Sequence, residues 1–179
     1  MPNWVYNHIE VNNERAIDFM RSDERDFDFE KIIPMPTEEK DNWYDWRIEN
    51  WDTKWNANEV EVDGTSVTFE TAWSAPNKVT AALAHKFPQQ LIRHIWYDED
   101  LGSNFGEEIY NQGVLQHRKY VGSVWSAVDQ SEVDACKRIC EDIFGNSWVD
   151  QFGYDVVFND ETDEVDYIEL DDGEELPHR

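Results

Sequence analysis

The residues with the greatest capacity for chemistry lie near the C-terminal end. Asp155, Asp160, Glu161, Asp163, Glu164, Asp166, Glu169, Asp171 and Asp172 interleave with or follow Tyr154, Val156, Phe158, Val165, Tyr167 and Ile168. Alternate residues of a strand repeat at about 6.6 Å, and each strand of duplex DNA carries one charge per about 3.4 Å of axis. Carboxylates on such a scaffold could imitate rows of phosphate before a basic protein surface. Bond-making chemistry is less well served. A calcium loop needs a central glycine and a late bidentate Glu, and Asp160 to Asp166 has neither, so it reads as the solvated tip of an acidic hairpin. Asp98-Glu99-Asp100 and Glu107-Glu108 are adjacent in sequence, but paired-carboxylate hydrolysis requires two acids facing across a shaped cleft.

The other reactive side chains form no motif. His8, His85, His94, His117 and His178 show no His-x-x-x-His or Glu-paired spacing, and His94, between Arg93 and Ile95 and beside Trp96 on its own strand face, reads as a structural or exposed imidazole. Cys136 and Cys140 are four apart and share a helix face with Val133, Ile143 and Phe144, the pattern of buried thiols acting as small hydrophobes. There is no Gly-x-Ser-x-Gly, phosphate loop or Gly-x-Gly-x-x-Gly. The expectation is therefore a protein with no catalytic residues, no metal site and no cofactor.

Trp43, Trp46, Trp51 and Trp55 crowd one segment. A helix would spread them over roughly half its circumference by the 3.6-residue period, so they serve mainly to fill a small core. The alternative is a recognition surface, since Trp is enriched at interface hot spots. Arg47 and Lys54 lie among them, placed to stack on the rings.

Composition limits the partners. The 179 residues hold 40 Asp+Glu against 15 Lys+Arg, a formal net charge of -25. Fourteen per cent are aromatic, too many for a disordered acidic chain. Such a body is repelled by nucleic acid and by anionic membranes. The charge is also uneven: residues 141–179 hold 14 acidic residues and one basic residue. No run of about 18 apolar residues suggests a membrane span, and the first residues lack the basic and apolar regions of a signal peptide. A cytoplasmic protein is expected.

The elements that must position these residues follow from periodicity. Asn3 to Val11 alternates as a strand, with Val5, Asn7, Ile9 and Val11 on one face. Asn12 or Asn13 can cap a helix from Glu14 to about Arg21. FDFEKIIPMP (27–36) reads as extended, because Pro34 and Pro36 each remove a backbone donor. Glu59 to Val62 and Ser66 to Trp73 form a hairpin over Asp63-Gly64. A helix follows from Pro76 to Lys86, then a strand from Leu91 to Tyr97.

This β-α-β-β-α-β order predicts an α+β, ferredoxin-like (split βαβ) antiparallel sheet with helices on one face. It assigns residues 1–110 to that domain, with a Trp-rich insertion at 27–57. Residues 111–179 form an acidic α/β extension packed on it or continuous with it. That extension has a hairpin across Asn111-Gln112-Gly113, whose first strand lies upstream of the boundary. A helix then opens at Ser131 and closes at Gly145, and an acidic hairpin flanks Asn159 to Asp163.

Three stretches, MPNWVYNHIEV (1–11), FDFEKIIPMP (27–36) and YDWRIENWDTKWNA (44–57) followed by VTFETAWSAP (67–76), occur in an order that resembles the phage- and plasmid-borne YubB-like family. The resemblance covers roughly residues 1 to 110. It implies a ferredoxin-like domain in a mobile-element protein acting in a bacterial cytoplasm, and it supplies no catalytic residues. Asp52 departs from the family pattern, where glycine is expected; a positive φ there is harder for a residue with a side chain.

The functional expectation is an inhibitor that occupies the nucleic-acid channel of a basic host protein, a defence nuclease or complex, by mimicry. Its carriers are the nine acids named first. The alternative is a non-enzymatic protein-binding module whose acidity serves solubility.

Overall fold

Strict alternation makes the first strand the spine of the molecule. Strand β1 (Trp4–Val11) buries Val5, Asn7, Ile9 and Val11 and turns Trp4, Tyr6 and His8 to the other face. The computed structural model describes residues 3–100 and 103–169. After β1 come helix α1 (Arg15–Phe19), helix α2 (Trp43–Trp51), the hairpin β2 (Asn58–Asp63) and β3 (Ser66–Ala72), helix α3 (Asn77–Lys86) and strand β4 (Ile92–Asp98). These are followed by the hairpin β5 (Ser103–Asn111) and β6 (Val114–Ser123), helices α4 (Gln130–Phe144) and α5 (Trp148–Phe152), and the hairpin β7 (Tyr154–Asn159) and β8 (Glu164–Glu169).

Six strands form one antiparallel sheet in the order β2-β3-β1-β4-β5-β6, and β7-β8 form a second. The β2-β3-β1-β4 half has the ferredoxin-like order, with α1 and α3 as its two helices. The division at residue 110 falls within the β5–β6 hairpin, whose strands extend the main sheet beyond β4.

Each face of the sheet has its own core. On one face, Ile9, Val11, Phe69 and Ile92 pack with Ile17 of α1, Val79 and Leu83 of α3, and Phe27, Phe29 and Trp51 of the insertion. Burying each such large side chain contributes about 1.5–3 kcal/mol. On the opposite face, Ile95, Tyr97, Phe105 and Val121 pack against Val133, Cys136, Ile139 and Cys140 of α4. The helices expected on one face are α1 and α3; α4, from the extension, covers the other. A six-stranded sheet presents two apolar faces, and β4 supplies residues to both.

Local chemistry sets the ends of these elements. Asp129, not Ser131, caps α4: its carboxylate accepts from Glu132 N–H, and Ser131 instead donates its hydroxyl to Asp129. Gly145 ends α4 at φ 73, in the left-handed region where glycine carries no Cβ penalty. Within 27–36 the chain is not wholly extended, since Phe29–Lys31 makes a 3-10 turn with Asp28 accepting from Glu30 N–H. Gly106 allows a close approach: a Cβ there would lie 2.1 Å from Cζ2 of Trp96, which pairs with it across β4–β5.

Candidate partner-binding surface

The acidic hairpin stands on a hydrophobic base. Ser147 caps α5 by accepting from Asp150 N–H, and the chain then turns into β7. Register places Tyr154, Val156 and Phe158 of β7 on the same face as Glu169, Tyr167 and Val165 of β8. Val156 is fully buried, and Tyr154, Phe158 and Val165 pack with it against α4 and Trp148. Gln130, in the first turn of α4, accepts from Phe158 N–H at 2.8 Å and ties the far end of β7 to the helix.

The other face of the hairpin carries Asp155, Val157 and Asn159 opposite Ile168, Asp166 and Glu164. The anticipated row of acids is therefore short. Glu164 and Asp166 alternate on the outer face, but Ile168 occupies the next place. Asp155 is held by Lys137 of α4 at 2.6 Å, and Glu169 lies on the inner face, where it accepts from the Tyr167 hydroxyl. Asp160, Glu161 and Asp163 share the connecting turn, all exposed. The structure thus brings Asp160, Glu161, Asp163, Glu164 and Asp166 to one tip, where no basic side chain among the described residues pairs with them. Asn159 braces that tip, donating to Asp166 and accepting from Glu161 N–H. Asp171 and Asp172 lie outside the described residues.

Sequence alternation did not reveal the aromatic contacts at the root of the hairpin. Trp125 stacks on Tyr154 at 6.5 Å, and Tyr154 meets Tyr167 at 4.9 Å. Trp125, Tyr167 and Ile168 are all substantially exposed, so the hairpin carries an aromatic strip at its root and the uncompensated carboxylates at its tip. An available signal was Trp125, a large aromatic that falls between the strand and helix patterns just before α4.

Several acids of the main sheet have structural partners. Arg93 on β4 joins Glu10 of β1, Glu107 of β5 and Asp142 of α4 at 3.2, 2.7 and 2.8 Å. Burial disfavours its charge, but hydrogen bonds to Glu107 and Asp142 outweigh that and raise its pKa. Glu108, fully buried on the other face, accepts from the Tyr110 hydroxyl at 2.6 Å and from Arg118 Nε at 2.7 Å. Asp98 accepts from Asp100 N–H, and burial raises its pKa above the usual carboxylate value.

His94 is fully buried, with Nδ1 at 3.0 Å from Thr80 Oγ1 and Nε2 at 3.1 Å from Asn7 Oδ1. Since Asn7 Nδ2 donates to Thr71 and to Val5 O, its Oδ1 faces the ring as an acceptor. That network assigns a neutral imidazole protonated on Nε2, accepting from Thr80. Burial lowers its pKa to about 3. Cys136 and Cys140 are buried and unoxidised, and burial pushes the Cys136 thiol up to about 12. Among the described residues no group of three or more His, Cys, Asp or Glu is arranged to hold a metal ion, and no helix is long and apolar enough to cross a membrane.

The Trp-rich insertion divides its rings between core and surface. Trp51 is fully buried and donates Nε1–H to Ile33 O; Trp43, Trp46 and Trp55 are half-buried. Arg47 lies between Trp43 and Trp51, 5.2 and 4.9 Å from the ring centres. Lys54 faces Trp55, Trp73 and Tyr44 at 4.6, 4.9 and 5.6 Å.

Residues 50–132 match a family model described as a ferredoxin-like domain in Api92-like protein. That stretch begins at the end of α2 and runs to the start of α4, so it covers five strands of the main sheet and stops short of the acidic hairpin. Among solved structures, the protein api92 from Yersinia pseudotuberculosis is 16% identical, with a TM-score of 0.44 over 54% of this chain. The likeness spans 40% of that protein's length. No curated protein matches the chain.

Proposed function

We propose that this is a mobile-element protein of the YubB-like kind, carried by a phage or plasmid, that inhibits a basic host protein by presenting a folded polyanion to its nucleic-acid channel. The target class is a defence nuclease or a complex that binds nucleic acid. The observation that carries this reading is the hairpin tip, with five exposed carboxylates, no paired cation among the described residues and a base fixed to α4. A pre-ordered tip binds with little loss of conformational freedom. Its field steers association with a basic groove and weakens with salt. No bond is made or broken, so the protein acts as a non-enzymatic competitor in the bacterial cytoplasm.

The strip of exposed Trp125 and Tyr167 on either side of half-buried Tyr154 favours a second reading, a protein-binding module anchored by aromatics with the acids at its rim. The experiment that separates the two is affinity capture from host lysate at 50 and 500 mM salt, followed by DNA competition for whatever is retained. A mimic loses its partner at high salt and is displaced by duplex DNA. Simultaneous reversal of Asp160, Glu161, Asp163, Glu164 and Asp166 to Lys abolishes that capture while leaving the melting temperature close to wild type. Capture indifferent to salt and to charge reversal, but lost in Trp125→Ala, overturns mimicry in favour of the aromatic module.

A further inference from the structure

Two arginines at the opposite end of the chain run against the general acidity. Arg47 of α2 and Arg25 of the loop after α1 both line an open pocket of about 450 Å³, with Trp4 and Trp55 also in its wall. The two indoles meet at 5.7 Å, inclined by 44°. This volume is in the range that holds small-molecule ligands.

Arg47 lacks the partners a guanidinium requires. Its Nε is buried without a hydrogen-bond partner, and the nearest carboxylate oxygen, Glu30 Oε1, is 4.0 Å away. The side chain is only 24% exposed, so water does not fully replace those bonds. Stacking between Trp43 and Trp51 fixes the plane of the fork without occupying its N–H groups. Burial, with Arg25 as a like charge, lowers its pKa. Arg25 donates one N–H to Ala57 O, which holds it at the rim.

Glu24, Asp28 and Glu30 also line the pocket, but two of them are engaged elsewhere. Asp28 accepts from Glu30 N–H and Asn56 Nδ2, and Glu30 accepts from Met35 N–H. Exposed Glu24 forms no ion pair with either arginine among the described residues. The pocket therefore sets Arg25 and Arg47, whose buried Nε is unpaired, beside two indoles and among three carboxylates.

We propose that this pocket binds a small planar aromatic ligand bearing an oxyanion, with Arg47 and Arg25 on the oxyanion and Trp4 and Trp55 against the ring. A carboxylate or a phosphate meets the guanidinium fork in the same two-pronged way, and indole faces accept planar rings with little regard to their substituents. This site is independent of the acidic hairpin and needs no change in it.

The test is tryptophan fluorescence and calorimetric titration of the full chain with adenosine 5′-monophosphate and indole-3-acetate, which carry the oxyanion as phosphate and as carboxylate. Adenosine and inorganic phosphate are the controls for ring and oxyanion alone. At least one of the two anions binds at sub-millimolar concentration, and whichever does names the source. Each control binds at least about tenfold more weakly, the factor set by a charge-assisted hydrogen-bond pair. Arg47→Gln and Arg25→Gln each weaken binding by about tenfold or more on the same basis. Arg25 is exposed and Arg25→Gln keeps the fold, so the result does not depend on the stability of Arg47→Gln. Failure of both anions to bind, adenosine binding as well as its monophosphate, or unchanged affinity in Arg25→Gln overturns the proposal.

Discussion

Asp52 ends α2 in the left-handed region, at φ 65, where glycine would be free of strain. For a residue with a Cβ that conformation costs about 1–2 kcal/mol, less for Asp than for most. The carboxylate offsets the cost: Oδ2 accepts from Lys78 N–H at 3.0 Å in the first turn of α3, and Oδ1 pairs with Lys78 Nζ at 2.9 Å. Its backbone carbonyl also accepts from the Ser74 hydroxyl. A side chain accepting from a helix's first-turn N–H contributes about 1 kcal/mol. The partly exposed ion pair adds about 0.2–1 kcal/mol.

Asp52→Ala removes both contributions and keeps the strain, a loss of about 1.5 kcal/mol. Asp52→Gly loses the same contacts but regains about 1 kcal/mol of backbone strain. For a chain of this length 1 kcal/mol moves the melting temperature by about 2–4 °C, so Ala falls by about 3–6 °C while Gly stays within about 2 °C. Differential scanning calorimetry at low and high salt reads both, and salt recovers only the ion-pair share. Equal melting temperatures for Ala and Gly would refute the strain argument. A clear gain in Gly would refute the compensating role of the carboxylate.

Three further outcomes follow from the buried polar groups and the packed sheet. The folded His94 pKa of about 3 lies below the unfolded value near 6.5, so the unfolded chain binds more protons between those limits. The contribution of neutral His94 is complete above pH 6.5 and is lost as pH falls toward 3. Urea unfolding should show wild type losing about 2 kcal/mol more than His94→Gln between pH 7 and 5, and parallel profiles would count against it. Gly106→Ala drives a Cβ into Trp96 and should cost about 1–3 kcal/mol; Trp96→Leu in the same chain should recover part of it, and an additive double mutant contradicts the contact. Arg93→Met leaves Glu107, 10% exposed, without its closest cation and should cost about 2–4 kcal/mol, partly restored in the double mutant with Glu107→Met. A loss below about 1 kcal/mol in urea unfolding sinks that reading.

Periodicity carried β1 and β3 because each alternates buried with half-buried or exposed positions, whereas β4 is buried on both faces. Val5, Asn7 and Ile9 announced the inner face of β1, and Asp63-Gly64 announced the turn between β2 and β3. The same rule could not show that β5 and β6 join the main sheet, since strand pairing is a long-range choice and β5 is buried almost throughout. Nor could it find α5, five residues long and set by Ser147 and a buried Trp148. In the acidic hairpin, alternation located the strands but not the fate of each acid: Lys137 lies 18 positions before Asp155, and no local pattern joins them. Arg47 was the legible case. Trp43 and Trp51 flank it at i−4 and i+4, which places all three on one helical face.

The distribution of basic residues gives the acidity its geography. Arg93 and Arg118 hold acids of the sheet, Lys78 holds Asp52 at the junction of α2 and α3, and Lys137 fixes Asp155 at the root of the hairpin. Arg47 and Lys54 are turned to aromatic rings instead. Cations on these internal duties do not reach the hairpin tip, and no Lys or Arg lies between Arg138 and Arg179 in sequence to supply one. A charge meant only for solubility would serve equally well scattered over the surface. Here an ordered turn, braced by Asn159 and anchored through Gln130, gathers like charges at mutual cost. Under the proposed function that cost is recovered on contact with a basic surface, whose affinity for the tip should fall as the number of its carboxylates is reduced.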